Sequence, residues 1–389
     1  MCLFWGYRAL ITLAINIMSL KKIFIILIIL LILVVGLLVV YNFFIKKEEP
    51  NGSTITPGTS IPTTLLTGPI QAISQEPVLD PIIDNQKVKY YSKNNGYVFE
   101  SSFNGSEQTR LSSNILLDLL KVLWSPNKDK VIAIFEKDGL LGKYLYDYDT
   151  GVSTSLDRNI RWLAWSPIED KVVYQYYNPQ TEDNNISLAN PDGSQWTNIL
   201  TTRMKNLIVE WPNSEQITIR TKPSGLAQSV VYTIDLATGD FQKIISETYG
   251  LTVLWSPLGD KLLFSETDNQ GKNLKLKIAD LAKSTVQELD FVTLPEKCVW
   301  SQDNRTVFCA VPKTISNLAT LPDDYYKRLV SLADDFWVIN LDIGEKNQIY
   351  IPINEEEMSY DVQQLLLSPL EDYLLFINKR DGHLYSLEL

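Results

Sequence analysis

Along most of the chain, runs of five or six residues alternate between apolar and polar positions, and the runs come in pairs joined by turn-forming residues. The clearest pair is LTVLWSPLGDKLLFSE, residues 251–266: a short apolar strand ending in Trp255, a Ser-Pro-x-Gly-Asp turn, and a second apolar strand after Lys261. Pro257 presets φ for the reversal, and Gly259 and Asp260 tolerate the backbone conformations it needs. Period-two patterning on both sides of such a turn predicts a β-hairpin.

The phrase recurs. LWSPNKDKVIAIF (123–135), AWSPIEDKVVYQY (164–176), EWPNSEQITIR (210–220) and VWSQDNRTVFCAV (299–311) repeat it, LLSPLEDYLLFIN (366–378) repeats it with Leu for Trp, and VLDPIIDNQKVKYY (78–91) is a seventh copy. Between the equivalent positions Leu79, Trp124, Trp165, Trp211, Trp255, Trp300 and Leu367 the spacings are 45, 41, 46, 44, 45 and 67 residues. Each period also holds a second hairpin, such as VVYTIDLATGDFQKI (230–244), so four strands, a to d, are expected per repeat. A period in the forties with four antiparallel strands predicts an all-β fold, a seven-bladed β-propeller. The wording W-S-P-x-x-D-K followed by Y-x-x-D-x-x-T-G resembles the TolB-type, WD40-like repeats of bacterial propellers, from about residue 78 to the end of the chain. That resemblance implies a non-enzymatic role in protein interaction or assembly in the cell envelope.

The composition, 45% hydrophobic and 11% aromatic over 389 residues, suits one large all-β domain with appendages. A net charge of −11 argues against a nucleic-acid partner, which needs a basic face to release counterions, and against docking on anionic lipid. Residues 23–45 carry no charge. As a helix they would span about 34 Å, enough for the roughly 30 Å hydrocarbon core, and the run exceeds a signal-peptide core and lacks a cleavage site. They are therefore expected to be a transmembrane helix that anchors the protein in the cytoplasmic membrane. Residues 1–22 are a short preceding segment, and Met18, just before Lys21 and Lys22, is the expected translation start. The positive-inside rule then puts the propeller on the outer side. Residues 46–60, rich in Thr, Pro, Gly and Ser, read as a flexible linker, and 61–389 as the propeller.

Two departures from the repeat stand out. After LYSLEL (384–389) the last blade has no strand d, whereas TTLLT (63–67) resembles the d strand TNILT (197–201). Pairing the two termini is expected to close the ring and cover an edge. In the sixth blade, about 20 extra residues from Pro312 to Asp334 separate strands b and c. Within them residues 321–329, LPDDYYKRL, read as a short capped helix, and Asp323, Asp324, Tyr325, Tyr326, Lys327 and Arg328 form a candidate binding loop. It reads equally as a lid over one face.

Little else suggests chemistry. His383 is the single histidine, which leaves one candidate for a His-based triad and excludes a multi-histidine metal centre. There is no Gly-x-Ser-x-Gly elbow, Walker loop or dinucleotide fingerprint. The acidic runs 182–185 and 355–357 lack the spacing of a calcium loop, and no catalytic residue, cofactor or metal is expected. The Trp residues at the ends of the a strands read as inter-blade core. Cys298 and Cys309 fall either side of the 301–305 turn, and folding that hairpin brings residue 298 opposite 308 or 309, so a disulfide is expected in an oxidising compartment. The expected function is a membrane-anchored, extracytoplasmic scaffold that binds an unidentified envelope protein. The alternatives are binding of cell-surface glycan or peptidoglycan fragments, or glycoside hydrolysis by channel carboxylates.

Overall fold

The computed structural model describes residues 70–350 and 359–389. The expected transmembrane helix, the linker and residues 63–67 lie outside the described residues. Among the described residues no helix is long and apolar enough to cross a membrane.

Seven four-stranded antiparallel sheets follow one another, six of them in simple sequence order, so the described chain is a seven-bladed β-propeller. Alternation along each strand sends one set of side chains into each of the two seams flanking a blade. All seven seams are apolar. Val173 and Ile186 of the third blade meet Val209, Trp211 and Ile217 of the fourth, and Phe308 and Phe336 of the sixth meet Val362 and Phe376 of the seventh. Full burial of such side chains contributes about 1.5–3 kcal/mol each, so the seams dominate stability.

The recurrent motif explains itself at the a–b turns. Ser125 Oγ donates to Asp129 Oδ1 at 2.8 Å and accepts the Lys130 amide at 3.0 Å. Ser256 does the same with Asp260 and Lys261, and Ser368 with Asp372 and Tyr373. One residue in each of these turns takes the left-handed conformation: Lys128, Gly259 and Glu371 at φ +59°, +69° and +57°. The motif lysine then reaches the corresponding turn of the next blade, Lys130 Nζ to Asp170 at 2.7 Å and Lys261 Nζ to the Asn304 carbonyl at 2.9 Å. The repeated residues thus tie blades together around this face. Trp124 and Trp165 donate their indole N–H groups to carbonyls of the preceding a strand, Asp80 and Leu123, both at 2.9 Å.

Ring closure uses the N-terminal segment, at a different place from the one the sequence suggested. The outermost strand of the seventh blade is Gln71–Ala72, antiparallel to Leu384–Glu388, with Gln71 opposite Ser386 and Ala72 opposite Tyr385. Immediately after it the Ile73 amide donates to the Leu384 carbonyl at 2.8 Å, and Ser74 Oγ accepts the Leu384 amide at 2.9 Å. Ile73, 5% exposed, packs with Leu375, Ile377 and Leu384 of the seventh blade and Val88 and Tyr90 of the first. Ile73, which seals this seam, follows the closing strand directly and lies shortly before the first a strand (Val78–Asp84).

Candidate functional site

The a–b face is occupied by the motif turns, so variation is concentrated at the opposite face, where b–c loops and d–a links emerge. The long insertion lies there, between strands Thr306–Pro312 and Asp334–Asn340 of the sixth blade. Its helix is shorter than the sequence suggests, Asp323–Tyr326 only. Arg328 adopts φ +59°, and the Leu329 amide bonds back to the Asp324 carbonyl at 2.9 Å, a left-handed termination that stops the helix before the basic residues.

Each predicted loop residue has a definite place. The Asp323 carboxylate accepts from the Gly225 amide at 2.7 Å and Ser224 Oγ at 3.0 Å, in the b–c loop of the fourth blade. Asp324 turns back on the insertion and accepts the Thr320 amide at 2.7 Å. Tyr325, 3% exposed, joins an apolar cluster with Ala319, Leu321 and Leu332 above Leu274 and Leu294. Its hydroxyl donates to Asp361 Oδ1 at 3.1 Å, while Lys379 Nζ lies 3.0 Å from its ring centroid and 2.5 Å from its carbonyl. The Tyr326 hydroxyl reaches Glu296 at 2.7 Å, and the residue is still 47% exposed. Lys327 and Arg328 are exposed. Three of the six candidate residues, Asp323, Asp324 and Tyr325, therefore anchor the loop, while Tyr326, Lys327 and Arg328 are exposed on it.

The fifth blade holds the insertion as well. The Leu321 amide donates to the Gly271 carbonyl at 2.9 Å, and Lys272 Nζ donates to the Ala319 carbonyl at 2.7 Å. Close approach requires Gly225: a Cβ there would sit 2.2 Å from the Leu321 carbonyl oxygen. The insertion is thus a lid fastened to the fourth, fifth and seventh blades as well as its own.

Beneath Tyr325 lies a charged cluster that sequence reasoning missed. Lys297 Nζ, fully buried, donates to Asp334 at 2.7 Å, to Asp361 at 2.8 Å and to the Val362 carbonyl at 2.8 Å. Asp334 also accepts the Val362 amide, and Asp361 the Leu332 amide. Burial alone would raise the Asp361 carboxyl, but Lys297 outweighs it and holds the group below the usual carboxylate range. Burial, reinforced by the Asp361 charge, drives the Tyr325 hydroxyl far above its ordinary value. Burial also pushes Lys379 down to about 8, with Asp361 opposing and Lys297 and Arg328 adding to the shift. These carboxylates are sealed and bound to Lys297, with Asp334 Oδ1 left without a hydrogen bond, a structural arrangement and not an open cleft. Sequence offered no signal for them, because the partners are 37 and 64 positions apart.

Among the described residues, no group of three or more His, Cys, Asp or Glu side chains could hold a metal ion. Residues 182–185 lie at the third blade's b–c loop and the start of its strand Asn184–Ala189, and residues 355–357 lie outside the described residues. His383 follows the b–c turn of the seventh blade, its amide bonded to Asp381 Oδ1. Cys298 and Cys309 stand directly opposite each other on neighbouring strands, Cα atoms 4.1 Å apart and bonded through sulfur. Two recesses open on the lid face. One, about 610 Å³, lies between Arg328, Lys379 and Arg380 on one side and Leu117 and Asp118 on the other. The second, about 1030 Å³, lies over the second to fourth blades.

No family model matches the sequence, and no curated protein matches it. Solved structures do. Oligogalacturonate lyase in complex with manganese aligns with TM-score 0.54 at 12% identity, over 78% of this chain and 85% of that one. An uncharacterised protein of Listeria monocytogenes aligns with TM-score 0.50 at 14% identity, over 82% and 98%. TolB from Acinetobacter baumannii aligns with TM-score 0.42 at 16% identity over 66% of this chain, which spans 61% of the TolB structure. Likeness at these identities concerns fold and says nothing of activity. The seven sheets and these alignments make the chain a seven-bladed β-propeller, whose repeat wording resembles that of TolB-type propellers.

Proposed function

We propose that the chain is a non-enzymatic, protein-binding scaffold of the cell envelope, tethered to the cytoplasmic membrane by residues 23–45 and displaying its propeller on the outer side. The observation that carries this reading is the division of labour between the two faces. The repeated motif side chains are used in blade-to-blade hydrogen bonds on one face, whereas the other bears a lid fastened to four blades. A loop held in this way presents Tyr326, Lys327 and Arg328 with little freedom left to lose on binding, which favours recognition. The uncharged run at 23–45 supports the tether, and the TolB-like repeat supports a partner that is a protein.

The test uses the full chain, purified in detergent, as bait for solubilised membranes, alongside a glycan array. Saturable capture of a protein that is lost in a Tyr326→Ala, Arg328→Glu double variant is the expected result. Binding confined to glycans, with no protein captured above the level of beads alone, would overturn it.

A further inference from the structure

The larger recess has a charge opposite to that of the molecule. The protein as a whole carries −11, yet Lys137, Lys143, Arg158, Arg161 and Lys222 line this cleft, with Asp138 as the one acid on its walls. Elsewhere lysines find carboxylates, as Lys130 does with Asp170 and Lys277 with Glu266. Among the described residues none of the five cleft cations makes an ion pair. Lys143 is the extreme case: only 6% exposed, it rises from strand Leu140–Asp147 between the second and third blades and ends in the cleft without a hydrogen-bond partner. Burial, with Arg161 adding like-charge repulsion, shifts its amine below the usual lysine range. Its stem is buried while the ammonium reaches the cleft, which fixes an unpaired positive charge at the floor where an anion can meet it.

We infer that this cleft is an anion-binding site whose occupant is an acidic segment of a partner protein, with Lys143 at its floor receiving a carboxylate. This rests on the protein-binding reading above and adds a second contact on the same face, apart from the lid, with its chemistry. Two observations favour a peptide over an acidic glycan. Of the two aromatic rings on the cleft walls, Trp162 already carries Lys222 Nζ at 5.7 Å from its centroid, and Tyr144 packs against Phe135 with ring centroids 5.9 Å apart. The outer wall is apolar, with Leu140 75% and Leu141 52% exposed at the tip of the second blade's b–c hairpin. Carboxylates interspersed with apolar side chains match that combination. A cleft of one sign with low-dielectric walls also concentrates field on an approaching acidic chain.

The experiment measures fluorescence anisotropy of the full chain in detergent micelles with three probes: a labelled peptide of interspersed Glu, Asp, Leu and Phe, its counterpart with Lys at every acidic position, and a labelled uronic-acid oligomer. The acidic peptide should bind, more weakly as salt rises, and the basic one should not. Lys143→Met, Arg161→Glu and Lys222→Glu should each weaken binding by about tenfold or more, as expected for loss of a charged hydrogen bond. Lys283→Met, on the fifth blade, should leave it unchanged. Arg161 and Lys222 are exposed, so their variants keep the test valid if Lys143→Met fails to fold. Binding of the acidic peptide that ignores all three substitutions overturns the cleft assignment and leaves the protein-binding reading standing. Binding of the uronic-acid oligomer alone overturns both, and binding of no probe overturns the cleft.

Discussion

Lys297 is the residue on which the lid face depends most. Its ammonium neutralises two carboxylates, all three groups are at most 1% exposed, and removing one partner of such a cluster leaves uncompensated charge in a medium that solvates it poorly. Lys297→Met should therefore lower stability by about 3–5 kcal/mol in urea unfolding. Adding Asp334→Asn and Asp361→Asn to the same chain should recover part of the loss; a loss under 1 kcal/mol for the single variant would show that the cluster contributes little. Lys379 gives a pH signature. Its folded value is about 8 against an ordinary 10.5, so between the two the unfolded chain binds more protons and stability rises with pH, then is lost again as pH falls through 8. Compared with Lys379→Met, the wild-type melting temperature should gain on the variant between pH 7.5 and 9.5, before tyrosine ionisation in the unfolded chain intervenes. A constant difference across that interval would contradict the burial of this amine. Neither residue announces itself in the sequence. A lysine that will be buried reads like a solvated one until the fold brings its neighbours together, which is also why Lys143 went unnoticed.

At the scale of elements, the a, b and c strands were legible because they are half or fully buried and alternate accordingly, and because the Ser-Pro-x-x-Asp turn has its own hydrogen-bond logic. Strand d was legible only in part: TNILT (Thr197–Thr201) stands where the sequence placed it, whereas the outer strands Gln108–Arg110, Thr285–Glu288 and Gln71–Ala72 are exposed throughout, so no buried apolar position marks them, and a Thr-rich resemblance placed the closing strand at 63–67, eight residues before Gln71. The helix was overextended for a different reason: composition favoured it through Leu329, while Arg328 took the left-handed turn that lets the chain return to the sixth blade. The closure makes a separable prediction. Ile73→Ala should cost about 2–5 kcal/mol, as for a large aliphatic side chain removed from a packed seam, whereas deleting residues 48–58 should leave the melting temperature unchanged. Equal tolerance of the two changes would mean that the seam between the seventh and first blades does not depend on the N-terminal segment.

For the whole molecule, the repeat disclosed the architecture but not the ligand, since the motif side chains hold blades together and the distinctive groups lie in loops whose neighbours come from other blades. The Cys298–Cys309 bond bears on where the propeller resides, because such bonds persist in oxidising compartments. Protein purified without reductant and denatured should show neither of these thiols free to alkylation; two labelled cysteines would argue for a reducing compartment. The central claim, a folded propeller held outside the membrane by a tether, is tested most directly by adding protease to intact spheroplasts. The account predicts release of a folded fragment that begins between residues 48 and 60. Full protection of the propeller until the membrane is breached would contradict it and place the domain in the cytoplasm.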